Sequence, residues 1–196
     1  MANTPSTMLP LGTEAPDFSL PDPSGRLVSL ADFEAKKALV VMFLSNHCPF
    51  VKHVADELAQ MARDYEAKGV GFVAINANDV EKYPADAPPK MVEEAKLRGY
   101  IFPYLYDESQ QIAKAYRAAC TPDFYVFGKQ EGTWLLTYRG QLDSSRPGNQ
   151  IPVTGSDLRK AIDRTLAAEP IPEADQRPSI GCNIKWKAGN APDYFG

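Results

Sequence analysis

The sequence predicts an α/β fold, a mixed central sheet with helices on both faces. Three observations carry that expectation. The run "ALVVMFL", residues 38–44, is apolar without alternation, as a central strand buried on both faces requires. Directly after it, Val51, Val54, Leu58, Met61 and Tyr65 recur at three- and four-residue steps, the period of an amphipathic helix. The rest of the chain then reads as strand, helices, two strands and a last helix, an order that suits a sheet covered on both sides.

The elements follow in order. Residues 1–9 are expected to form a flexible arm, residues 10–168 one domain and residues 169–196 a tail packed on it. "APDFSLPDPSGRLVSLADF" reads as two short strands around a "DPSG" turn and then a helical turn, with Leu27 and Leu30 as apolar anchors. The central strand and the amphipathic helix come next, and Gly69 closes the helix. "VGFVAINAN" is the following strand, and "DVEKYPADAPP" is a proline-rich loop expected to be solvated at the rim of a site. "KMVEEAKLRG" reads as a helix, "YIFPYLYD" as extended chain and "SQQIAKAYRA" as a short helix. "CTPDFYVFG" is a strand introduced by a proline, and "WLLTYRG" is its hairpin partner. "TGSDLRKAIDRTLAAE" is a helix with Leu158, Ile162 and Leu166 on one stripe and Ser156 as the expected N-cap. The tail is rich in proline and glycine but carries Ile184, Trp186, Tyr194 and Phe195, which predicts an ordered segment rather than a linker.

Composition narrows the function. The chain of 196 residues is 44% hydrophobic and 23% charged, ordinary for a soluble globular protein. With 21 basic and 25 acidic residues, its net charge of −4 weighs against nucleic acid or an anionic membrane surface as the partner. The opening "MANTPSTMLPLGTEAP" has neither a basic nor an apolar signal region, so a cytoplasmic protein is expected. The three cysteines, Cys48, Cys120 and Cys182, are widely separated and form no Cys-x-x-Cys pair. His47, Cys48 and His53 do not share a spacing that suits a metal, and neither a nucleophile elbow nor a glycine-rich phosphate loop occurs; no metal and no cofactor is expected.

The chemistry is expected at "SNHCPFVKH", residues 45–53. Pro49 suits the first position of the helix, which makes Cys48 the N-cap. There the unpaired amides and the positive end of the helix dipole face the sulfur and stabilise the thiolate, the reactive species. Ser45, Asn46 and His47 lead into it, and His47 and Lys52 could add positive charge. The competing reading is a buried, inert cysteine, since cysteine is among the most buried residue types.

With these elements placed, the chain resembles the thioredoxin-fold redoxins, and more closely the thioredoxin-like branch of the alkyl hydroperoxide reductase/thiol-specific antioxidant group. "LGTEAPDFSLPDPSGRLVSLADF" matches that group's opening around A-P-D-F. "VVMFLSNHCPFVKH" falls at its F-W-A-x-W-C-x-x-C segment, and "CTPDFYVF" at its active-site loop proline. The resemblance implies a thioredoxin-like fold over about residues 10 to 168. It implies that Cys48 is the attacking thiol, that Val51 stands where a second cysteine would resolve it, and that Pro122 is the cis-proline beside the sulfur. Thr121 would offer backbone groups to a bound substrate chain. Peroxiredoxins show P-x-x-x-[TS]-x-x-C instead. Ser45 fits their hydroxyl position, Val41 replaces their proline, and Arg117 is the nearest basic residue before the position of their later arginine.

The expected function is therefore that of a thiol oxidoreductase whose Cys48 attacks a disulfide or a hydroperoxide. A peroxiredoxin-like thiol peroxidase is the alternative, and a binding module with a redox-sensitive cysteine is the alternative of another class. The spent Cys48 could be cleared by Cys120, by Cys182 or by an external thiol reductant, with Cys120 ranked slightly ahead because it lies two residues before Pro122.

Overall fold

A computed structural model describes residues 3–195. Its centre is a five-stranded sheet in the order β6-β5-β4-β8-β9. Strand β4 (Ala38–Phe43) lies in the middle, parallel to β5 (Val70–Asn76), which is parallel to β6 (Tyr104–Tyr106). On its other side β4 runs antiparallel to β8 (Asp123–Gln130), which forms a hairpin with β9 (Thr133–Gly140).

The unbroken apolar run of β4 sorts by parity, because successive side chains point to opposite faces. Val40, Met42 and Leu44 face a core completed by α1 (Pro49–Glu66), α2 (Pro88–Arg98) and α4 (Ser156–Leu166). Leu39, Val41 and Phe43 face a second core covered by the five-residue α3 (Gln111–Ala115), Tyr116 and the hairpin of β2 (Ser19–Pro21) and β3 (Leu27–Ser29). Each such side chain, fully buried, contributes about 1.5–3 kcal/mol. The helix α1 buries Val51, Val54, Leu58, Met61 and Tyr65, the expected stripe, and Gly69 follows it with a positive φ of 82°.

Four local expectations are corrected. Leu27 is 64% exposed; Val28, its neighbour of opposite parity, is the anchor of β3. Ser156 is not an N-cap. Gly155, at φ 65°, occupies that position, and the carbonyl of Leu142 accepts from the amides of Asp157 and Leu158. A side chain at Gly155 would lie 2.5 Å from the Met61 methyl, which would have to shift, and the positive φ disfavours one in any case. The segment "DVEKYPADAPP" is not simply a solvated rim, since Asp86 within it is completely buried. The first nine residues are not a loose arm where the structure describes them, for Met1 and Ala2 lie outside the described residues. Asn3–Pro5 forms β1, Ser6 and Ser179 exchange hydrogen bonds, and Leu9 is buried. The reason is a sheet edge contributed from the other end of the chain: β1 pairs antiparallel with β10 (Ile180–Asn183), giving that strand its second neighbour.

The tail carries a strand of its own. Strand β10 also pairs with β7 (Cys120–Thr121) to complete a three-stranded sheet, β1-β10-β7. Beyond it, Gln110 acts as a clamp. This buried residue has a left-handed backbone, φ 63°. Its Nε2 donates to the carbonyls of Ala77 and Lys185, at 2.7 and 3.0 Å. Its Oε1 accepts from the Lys187 amide and from Asn190 Nδ2, at 2.9 and 2.8 Å. Tyr194 donates to the carbonyl of Ala118, and the Arg117 guanidinium lies over its ring.

The Gln110→Ala variant should lose about 2–3 kcal/mol of stability, because two carbonyls and two donors lose their partner together. Limited proteolysis should then cut first between residues 184 and 195, the part of the tail that Gln110 secures.

Candidate active site

Cys48 is the N-cap of α1, with Pro49 at the first helical position. Proline has no amide proton to lose there, and the amides of Phe50 and Val51 have no carbonyl within the helix to bond. The helix itself begins with the Lys52 amide on the Cys48 carbonyl, at 3.0 Å. Cys48 is fully buried, and its Sγ–H donates to the carbonyl oxygen of Thr121 at 3.1 Å. The Thr121–Pro122 peptide bond is cis. Strands β4 and β8 are neighbours, so the start of β8 lies beside the end of β4, and the two loops meet. Cys48, Thr121 and Pro122 are thus brought together.

The residues before Cys48 are held by a carboxylate that the sequence did not single out. Asp86 accepts from the Asn46 amide at 2.6 Å, Asn78 Nδ2 at 2.7 Å and His47 Nδ1 at 2.6 Å. Ser45 Oγ lies 3.2 Å from both of its oxygens. Burial alone would raise the pKa of Asp86. The bonds from His47 and Asn78, the nearby imidazole and the Asn46 amide outweigh burial and hold it below the usual carboxylate value. Asn46 is fixed twice more, donating to the Ala85 carbonyl and accepting from the Tyr104 hydroxyl, each at 2.9 Å. Tyr83 stacks on the His47 ring, with centroids 5.3 Å apart.

Ser45 and His47 therefore serve the carboxylate. The hydroxyl three residues before the cysteine faces Asp86, and His47 is directed at the same group. Lys52 is exposed on α1. Arg117 is occupied with Tyr194. The only hint of Asp86 in the sequence was an acid among three prolines, a pattern that solvated loops share.

The other two thiols take unequal positions. Cys182 lies on β10 directly across from Thr121, whose carbonyl accepts from Cys48, and both thiols are buried in the same core. Burial, followed by the nearby Cys48 side chain, pushes the Cys182 thiol up to about 12. Cys120 instead points its sulfur toward the carbonyl of Pro122, at 3.6 Å. Burial pushes its thiol far above the ordinary value, and the carboxylate of Asp123 adds to this. Cys120 was expected slightly ahead of Cys182, and it is Cys182 that lies opposite the residue whose carbonyl Cys48 bonds. The backbone of Thr121, expected to receive a substrate chain, is paired with the tail.

Directly after Pro122, Asp123 is completely buried. Burial raises its pKa to about 7 against the opposing bond from the Tyr125 hydroxyl, which donates at 3.0 Å. A small cleft opens nearby, bounded by Phe50, His53, Pro122, Arg146 and Ile180.

The two buried acids give opposite pH dependences. Asp86 has a lowered pKa, so its stabilisation is present above the ordinary carboxylate value and is lost as the pH falls through the lower folded one. Its replacement by alanine should cost about 2–4 kcal/mol in urea unfolding at neutral pH, because it strands the Asn46 and Asn78 donors. Asp123 has a raised pKa, so its contribution is full below the ordinary value and disappears as the pH rises toward 7. Unfolding of Asp123→Asn at about pH 5 and about pH 8 should show a smaller loss of stability with rising pH than the parent protein shows.

The comparisons agree with this geometry. A crystal structure of an uncharacterised conserved protein from Geobacillus kaustophilus is 55% identical, with a TM-score of 0.90 over 95% of this chain and 97% of that one. A Mycobacterium tuberculosis protein provisionally named a peroxiredoxin is 29% identical over 142 residues, 71% of this chain and 85% of its own. The thiol-disulfide oxidoreductase ResA of Geobacillus kaustophilus is 26% identical over 164 residues, 83% of this chain and 80% of its own. The sheet order, the N-capping cysteine and the cis-proline loop opposite it make the fold thioredoxin-like. The AhpC/TSA family matches residues 11–142, and the chain belongs to that family.

Proposed function

We propose that the protein is a thiol-dependent oxidoreductase in which Cys48 is the nucleophile, attacking the O–O bond of a hydroperoxide or the S–S bond of a disulfide. One observation carries the reading. The Cys48 sulfur sits at the first turn of α1 and 3.1 Å from the carbonyl that precedes cis-Pro122. At the helix start, the unpaired amides and the positive end of the dipole favour the thiolate, which is the attacking form. The Thr121 carbonyl holds the sulfur in one direction until its proton leaves. Pro122 has no amide proton and packs where the incoming oxidant must approach. Membership of the AhpC/TSA family and the relatives named for peroxide and for disulfide chemistry support the same reading.

Val51 stands three residues after Cys48, so the first turn of α1 holds one thiol. The oxidised Cys48 must be resolved by a thiol from elsewhere. Asp86 is a positioning residue in this scheme: it fixes residues 45–47, and with them the point at which β4 hands over to α1.

The test is thiol-dependent consumption of hydrogen peroxide, or reduction of a disulfide such as cystine, by the reduced protein. The parent protein should turn over at least one of them, and Cys48→Ser should lose that activity by about 100-fold or more. Iodoacetamide should modify Cys48 ahead of Cys120 and Cys182, whose thiols burial holds protonated. Turnover that survives in Cys48→Ser would overturn the assignment.

A further inference from the structure

The tail occupies the place where a thiol-bearing partner would have to lie. Strand β10 runs antiparallel to β7, with Cys182 opposite Thr121 and Asn183 opposite Cys120. The approach is so close that a side chain on Gly181 would sit 2.0 Å from the Thr121 carbonyl oxygen and 3.2 Å from the Pro122 nitrogen. The strand is secured on every side. Strand β1 pairs with its far edge, Ser179 is bonded to Ser6, and the Ile184 amide donates to Ala119 at 3.0 Å. Lys185 is bonded to Asn78, which also holds Asp86. At the middle of this clamp, Cys182 lies opposite Thr121, the residue whose carbonyl accepts from the Cys48 thiol at 3.1 Å.

We infer that β10 is a tethered reaction partner: it presents Cys182 as the thiol that resolves oxidised Cys48, and it closes the Thr121 edge to extended polypeptide disulfides. The inference rests on Cys48 being the nucleophile and adds the identity of the second thiol and the class of oxidant. The oxidant is a small hydroperoxide, because the edge that would hold a polypeptide is filled.

The steps balance. The Cys48 thiolate attacks one oxygen of ROOH; the O–O bond breaks, ROH leaves after taking a proton, and Cys48 becomes a sulfenic acid. The Cys182 sulfur then attacks the sulfenic sulfur. An S–S bond forms, the S–O bond breaks, and the hydroxide departs with the Cys182 proton as water. An external dithiol returns both cysteines to thiols and is itself oxidised to a disulfide.

The experiment treats the reduced full-length protein with one equivalent of hydrogen peroxide, alkylates remaining thiols and maps cross-linked peptides without reduction. The expected product joins Cys48 to Cys182, with Cys120 alkylated. A Cys48 that is never oxidised removes the nucleophile assignment itself. A Cys48 that is oxidised but persists as sulfenic acid, or is joined to Cys120, overturns the tail inference alone. In Gly181→Val the side chain must push β10 off Thr121, and the disulfide should form about tenfold or more slowly, since displacement of a reacting group by about 1 Å is that costly. An undiminished rate in this variant would show that the seating of the strand does not deliver Cys182. Should Gly181→Val fail to fold, the peptide map of the parent protein still decides.

Discussion

A carboxylate with no exposure to water needs donors for its oxygens, and Asp86 draws most of them from one turn of chain. The Asn46 amide, the His47 ring and the Ser45 hydroxyl all converge on it, with Asn78 as the remaining partner. The price of breaking such a set is high, because each stranded donor would remain buried. The three residues that end β4 therefore have one geometry, and the next residue is Cys48. From there the rest follows: Pro49 starts α1, the helix packs its apolar stripe on the sheet, and the cysteine sulfur is left facing the loop of Thr121 and cis-Pro122.

The same network reaches the tail. Asn78 donates to Asp86 and accepts from the Lys185 amide, so the residue that fixes the entry to Cys48 also fixes the chain that leaves Cys182. Gln110 adds a second tie between the end of β5 and the tail. Two segments about 130 residues apart in sequence are thus held in register with each other through side-chain amides. Reactivity between two buried thiols depends on such positioning more than on their acidity, since the attacking sulfur must lie in line with the bond it breaks. The buried Asp123, raised to about 7 beside Cys120, marks the low polarity of the loop that faces them.

Much of the fold was legible because its signals are local. The parity of β4, the period of α1 and the proline at its first position each depend on a few neighbouring residues. Cys48 and Pro122 could be named for the same reason: the strand-to-helix junction and the strand-opening proline are visible in short stretches. Asp86 was not legible. An acid flanked by prolines looks the same whether it meets solvent or a ring of donors, and those donors come from residues 45–47 and 78. Leu27 and Ser156 went astray for a related reason. One residue of offset decides which of Leu27 and Val28 turns inward, and the left-handed backbone at Gly155, with the distant Leu142 carbonyl taking the first helical amides, decides that Gly155 is the cap.

The amino-acid sequence by itself determined the α/β layering, the two-sided burial of the central strand and the place of the reactive thiol at a helix start. Periodicity and capping are properties of contiguous residues, so they survive without coordinates. The tertiary structure alone decided which cysteine lies across from Thr121 and what fills the edge beside that residue. Those depend on β10 returning from the end of the chain to lie between β1 and β7, which pairs it with segments far away in sequence, β1 from the opposite end of the chain. The backbone hydrogen bonds of a strand pair carry almost no residue code, so that return could be seen only once the chain was folded.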